Sequence, residues 1–224
     1  MPPPTDLPSH PASWLPEAGR RLLAWWPVKL TGTALGMAAF FASYFWLLQH
    51  PSHAVTLMPL TAVDRAIGIQ PAALPLYLSL WLYVALAPAL VANRRELSAI
   101  GLAWVALSVV GLGIFLLWPT AVPALNVDWS RYPSLGFLKA ADAAGNACPS
   151  LHVAFAVFSA ASIARSLRQL AAGRWPRAAN WLWCLGITYS TIATGQHVFV
   201  DVLAGVALGG LVAFGHRRWV NNKS

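Results

Sequence analysis

The sequence predicts an all-α integral membrane protein with six membrane-spanning helices. Hydrophobic residues make up 58% of the 224 and charged residues only 10%, against about 25% charged in an average soluble domain. Six apolar stretches approach the roughly 17–25 residues that cross a hydrocarbon core, at about 30–48, 74–93, 98–118, 149–169, 178–196 and 198–215. The excess of fifteen Lys and Arg over seven Asp and Glu lies largely between those stretches. There it reports membrane topology rather than nucleic-acid binding.

Each element follows from its residues. Residues 1–29 read as a flexible cytoplasmic tail, because the first nineteen are rich in Pro and polar residues without a helical period. The first apolar run starts too late for a signal peptide. Pro88 predicts a kink in the second stretch. Pro149 suits the first turn of the fourth. The fifth and sixth run nearly together, and Thr194-Gly195-Gln196-His197 predicts the turn that splits them. The membrane domain is expected over 30–217, with a basic tail at 218–224. Gly205 and Gly209, four apart in the last stretch, predict close helix packing. Cys148 and Cys184 are too few for a disulfide framework and read as small apolar side chains. His10, His50, His53 and His216 lack a partner pattern and are expected at the surface.

Twelve of the fifteen cations fall on one side of this arrangement, and only Arg65, Arg131 and Lys139 on the other. The positive-inside rule then puts both termini in the cytoplasm. The 119–148 connection and the Gly195 turn face outward. Trp25, Trp26, Trp118 and Trp175 stand at span ends, as interfacial anchors do.

Asp201 is the one acidic residue inside an expected span. A carboxylate there is costly and wants a partner. His197, four residues earlier, projects from the same face of a helix. A carboxylate on one imidazole nitrogen leaves the other as nucleophile or base. The second feature is Asn146-Ala147-Cys148-Pro149-Ser150-Leu151-His152 ahead of an apolar run. A helix starting there offers free N–H groups to an anion, the Ser150 hydroxyl and, one turn in, His152. The topology brings His152, His197 and Asp201 to one membrane depth, which makes a phosphate site. The bland alternative is a His–Asp pair that only pins the last helix and a plain helix start.

Pro149-Ser150-Leu151-His152 resembles the "PSGH" motif of the type-2 phosphatidate phosphatase superfamily. Ser190-Thr191, five residues, His197, three residues and Asp201 resemble its "SR-x5-H-x3-D" motif. The Leu151 form is similar to the inositol phosphorylceramide synthase-like, inositolphosphotransferase branch. The resemblance covers most of 30–215 and implies a six-helix bundle of that kind. It implies that His197 attacks phosphorus to give a phosphohistidine and that Asp201 orients it. It also implies that His152 serves as general acid and then base, that Ser150 holds phosphate oxygens, and that neither metal nor cofactor is needed. The family's "K-x6-RP" motif is missing, since Trp118 to Ala124 carry no cation, and Thr191 and Leu151 replace its Arg and Gly. Arg131 and Lys139 are the available substitutes for phosphate binding, with Arg65 a third.

The expected function is therefore a membrane phosphatase or phosphotransferase acting on a lipid phosphate or diphosphate, with its site on the outer face of the plasma or inner membrane and no nucleic-acid partner. Its intermediate is resolved by water, or by an alcohol in a lipid headgroup transferase. The alternative of a different class is a non-enzymatic transporter or lipid-binding protein.

Overall fold

A computed structural model describes residues 14–125, 127–142 and 145–222, without the side chains at 137 and 139–142. Ten helices and two short strands occur among them: α1 (Trp14–Leu23), α2 (Trp26–Gln49), β1 (Thr56–Leu57), α3 (Ala62–Ile67), α4 (Leu74–Leu78), α5 (Leu80–Ala89), α6 (Arg94–Leu117), β2 (Thr120–Ala121), α7 (Pro133–Asp142), α8 (Leu151–Gln169), α9 (Arg174–Ala193) and α10 (Phe199–Asn221). All six apolar stretches are helical: α2, α4 with α5, α6, α8, α9 and α10. Four segments, Trp26–Gln49, Pro71–Ala89, Arg94–Leu117 and Phe199–Asn221, are long and apolar enough to cross a membrane. The chain is thus a multi-pass, all-α membrane protein.

The two helices below that threshold carry polar groups that neighbouring helices satisfy. Along α8, twelve of nineteen residues are buried, including Ser159, Ser162 and Ser166. Buried Asn180 of α9 accepts from the Tyr83 hydroxyl (2.8 Å) and donates to the Ala160 carbonyl (3.0 Å), joining α5, α8 and α9. Helix α10 lies tightly on α8, as the glycine spacing predicts. A Cβ at Gly205 or Gly209 would run into the Ser150 or Ala154 carbonyl oxygen.

Several local expectations are corrected. The stretch read as a tail is helical from Trp14, because the short helix is docked: Arg21 donates to the Leu90 carbonyl (3.4 Å) and to Gln169 (3.0 Å). The second stretch breaks at Ser79 rather than at Pro88, which stands in the last turn of α5. The Ser79 hydroxyl donates to the Leu76 carbonyl (2.6 Å) and accepts from the Trp183 indole (2.8 Å). Lys29 is a buried strut. Its ammonium donates to the Arg21, Ala89 and Val91 carbonyls at 2.6, 2.9 and 3.0 Å, closing the orphan end of α5. His216 is not a surface group: its ring meets Phe158 edge-on at 5.5 Å and its Nε2 is buried. His10 lies outside the described residues.

The bundle has two unlike ends. At one, Arg94 lies 3.9 Å over the Trp25 ring, Gln169 donates to Glu96 (3.1 Å), and Arg165 donates to Asn221 (2.9 Å). That end gathers the start of α6 and the ends of α8 and α10. The other gathers the start of α8, the end of α9 and the start of α10. There β1 and β2 pair in parallel, Thr56 with Thr120 and Leu57 with Ala121, tying together the connections that follow α2 and α6.

Candidate active site

The turn between α9 and α10 is set by Gly195, whose φ is +69°. A Cβ there would meet Ile69 at 2.9 Å and Leu125 at 3.1 Å. The Thr191 carbonyl then accepts from both the Gln196 and His197 N–H groups (3.0 and 3.1 Å). His197 is buried, and its Nδ1 lies 3.0 Å from the Ala147 carbonyl oxygen. A carbonyl can only accept, so the proton sits on Nδ1 and the lone pair on Nε2. Nε2 makes no hydrogen bond among the described residues.

Asp201 is fully buried, 3.7 Å from His197 Nδ1. Its Oδ2 accepts from the Val198 N–H (2.9 Å), and its backbone carbonyl accepts from the Ser150 N–H (3.0 Å). This corrects the expectation of two residues on one helix face. α10 begins at Phe199, so His197 stands before the helix and meets Asp201 across its capping turn. Thr191, in the place of the family's Arg, is buried and donates to the Thr188 carbonyl (2.8 Å).

At the start of α8, Pro149 precedes the cap instead of entering the first turn. Ser150 is the cap: its Oγ accepts from the Val153 N–H (3.3 Å) and is fully buried. Leu151 packs against Gly111 of α6, which has no side chain to obstruct it. The His152 ring stacks on Tyr77, centroids 4.1 Å apart, and its Nε2 is buried without a hydrogen-bond partner among the described residues.

The segment between α7 and α8 hangs from β2. Ala147 N–H donates to the Thr120 carbonyl (3.2 Å) and Cys148 N–H to the Thr120 hydroxyl (2.8 Å). Asn146, at φ +49°, donates to the Tyr44 carbonyl (3.1 Å). Burial, with the Asp201 carboxylate nearby, pushes the Cys148 thiol up to about 11. It stays protonated near neutral pH and is a poor nucleophile.

Helix α3 covers this end. Asp64 Oδ2 accepts from the Thr61 N–H (2.7 Å), and Oδ1 accepts from the Phe199 N–H (2.7 Å). One carboxylate therefore serves the starts of both α3 and α10. Gln70 N–H donates to the Ala193 carbonyl (2.7 Å). Arg65, next to Asp64, is exposed, donates to the Leu60 carbonyl (3.3 Å) and lines a pocket of about 210 Å³ together with His197.

A second cavity, of about 600 Å³, lies between α2, α5 and α6, and His152, Asn146 and His197 line its upper end. His197 thus borders both cavities. Ser150 and Arg131 line neither of them. Arg131 is 78% exposed and pairs with Asp128 at 3.2 Å. The Ser130 hydroxyl and N–H bonded to Asp128 hold that carboxyl below the usual carboxylate range. The Lys139 side chain lies outside the described residues. Sequence reasoning missed Ala147 and Asp64. Thr61-Ala62-Val63-Asp64 carries the spacing of a capped helix start, but no side-chain pattern marks a carbonyl acceptor.

No curated protein and no solved structure matches the sequence. A family model does match, over residues 43–214, a range that takes in α3, the Asn146–His152 segment, the Gly195 turn and most of α10. The chain belongs to the PAP2 superfamily.

Proposed function

We propose that this membrane protein is a phosphatase or phosphotransferase that acts on a lipid phosphate or diphosphate through a phosphohistidine at His197. Superfamily membership and the apolar spans support a lipid-phosphate enzyme in general. The observation that carries the finer reading is the state of His197: its Nδ1 proton is held by the Ala147 carbonyl, its Nε2 lone pair is free among the described residues, and the residue borders both cavities.

The steps we propose are these. Nε2 attacks phosphorus as the bond to the leaving oxygen breaks, and protonated His152 gives that oxygen its proton. The phosphorylated imidazole is positive, and the Asp201 carboxylate at 3.7 Å favours that charge. Neutral His152 then takes the proton of water, which attacks phosphorus and releases phosphate with His197 restored. An alcohol in place of water gives transfer, and the Leu151 form inclines to that outcome. Phosphoryl transfer draws on positioning and on cancellation of charge over the equatorial oxygens. We assign that cancellation to Arg65, which shares a pocket with His197, rather than to Arg131, already paired with Asp128. The basic end faces the cytoplasm and the site faces outward.

The test is phosphate release from a panel of lipid phosphates in detergent micelles with EDTA present, together with acid-labile labelling of the protein by radiolabelled substrate. We expect release without added metal, and His197→Ala to lower it about a thousandfold or more and abolish the label. Release that survives His197→Ala would remove this reading. Added alcohol acceptors separate transfer from hydrolysis.

A further inference from the structure

The larger cavity exceeds what a phosphate needs. It descends from His152, His197 and Asn146 to Gly32 on α2 and Gly101 on α6. From Tyr44 to Gly32 it follows α2 for about 18 Å at the helical rise, more than half of a hydrocarbon core roughly 30 Å thick. Its walls are apolar and aromatic, with Phe40, Trp81, Trp104 and Phe155 among them.

Three glycines, Gly32, Gly36 and Gly101, line its lower half. Gly32 and Gly36 are four apart, a spacing that in membranes commonly brings two helices into contact. Among the described residues no helix uses it: a Cβ at Gly32, Gly36 or Gly101 meets nothing within 4 Å. Gly205 and Gly209 show the opposite behaviour, since there the neighbouring backbone fills the space. The α2 and α6 glycines therefore line the cavity and leave room where a side chain would enter it.

The geometry points to a slot that holds one hydrocarbon chain of the phosphorylated lipid, with Gly36 setting the chain length it accepts. This rests on the reading of His197 as the reacting centre. A chain lying along α2 has its polar end at His197 and its tail between α2 and α6. Gly36 lies about 12 Å below Tyr44 at the helical rise, so a short chain ends above it and a long chain passes it. Each methylene that passes gains apolar contact only while the slot stays open.

Gly36→Leu puts a side chain into that open space. The readout is the ratio of kcat/KM for oleoyl- over octanoyl-lysophosphatidate in mixed micelles. We expect Gly36→Leu to lower the ratio about tenfold, the effect of displacing two or so buried methylenes. An unchanged ratio overturns the slot. A lysophosphatidate with a diazirine near the end of its chain, photolysed with the His197→Ala protein, gives a readout independent of turnover. Adducts are expected at slot residues such as Met37 and Val105, and adducts confined to other surfaces overturn the proposal. Slot adducts with neither phosphate release nor transfer to an added alcohol by the wild type would leave the slot standing and remove the histidine reading. His197-dependent release with adducts elsewhere would do the reverse.

Discussion

Arg65 owes its place to its neighbour. Asp64 fastens α3 to the first N–H of α10, and the next side chain along is thereby held in the His197 pocket. A charge-assisted hydrogen bond contributes about 1.5–3 kcal/mol, which corresponds to roughly ten- to a hundredfold. We expect Arg65→Ala to lower kcat/KM by that factor, Arg65→Lys to recover part of it, and Arg131→Ala to change it less than about twofold. Steady-state kinetics on one lipid phosphate checks all three. At this scale the histidines and Asp201 were legible, because their types and spacings are side-chain patterns. The Ala147 acceptor was not, because it is main chain fifty positions from the ring it orients. Arg65 ranked below Arg131 in the sequence because its pocket with His197 is formed by residues far apart in the chain.

Among the elements, the contact of α8 with α10 decides the site's precision, since one bears His152 and the other Asp201. Gly205 and Gly209 let the two backbones touch. Gly209→Ala would push a methyl group into the Ala154 carbonyl. Overpacking of that kind costs about 1–3 kcal/mol. We expect a lower thermal midpoint in detergent for Gly209→Ala and no such loss for Gly32→Ala, where the added group meets open space. A Gly32→Ala protein as destabilised as Gly209→Ala would contradict this contrast. The helices themselves were legible from apolar length alone. The break at Ser79 was not, because it depends on the Trp183 indole from another helix. Helix α1 was hidden too, since ten residues hold a helix only when docked.

For the whole molecule, Arg94, Arg165 and Gln169 make their contacts at the end opposite the one that bears His197 and Asp201. The side of the membrane can be tested with single cysteines. Ser52→Cys lies by the site end, and Trp175→Cys lies on the opposite end, exposed at 73%. The native Cys148 and Cys184 are buried and give little background. With an impermeant maleimide on intact cells, we expect Ser52→Cys to react and Trp175→Cys to react only after lysis. The reverse pattern would invert the topology.

The bond that aims His197 comes from the Ala147 carbonyl. Every residue type supplies that group, so an alanine scan passes over position 147 while missing what its carbonyl provides. The orientation of the His197 ring is inherited from the path of the chain. Anyone redesigning this loop has to preserve that path, held by Thr120, rather than any letter at 147.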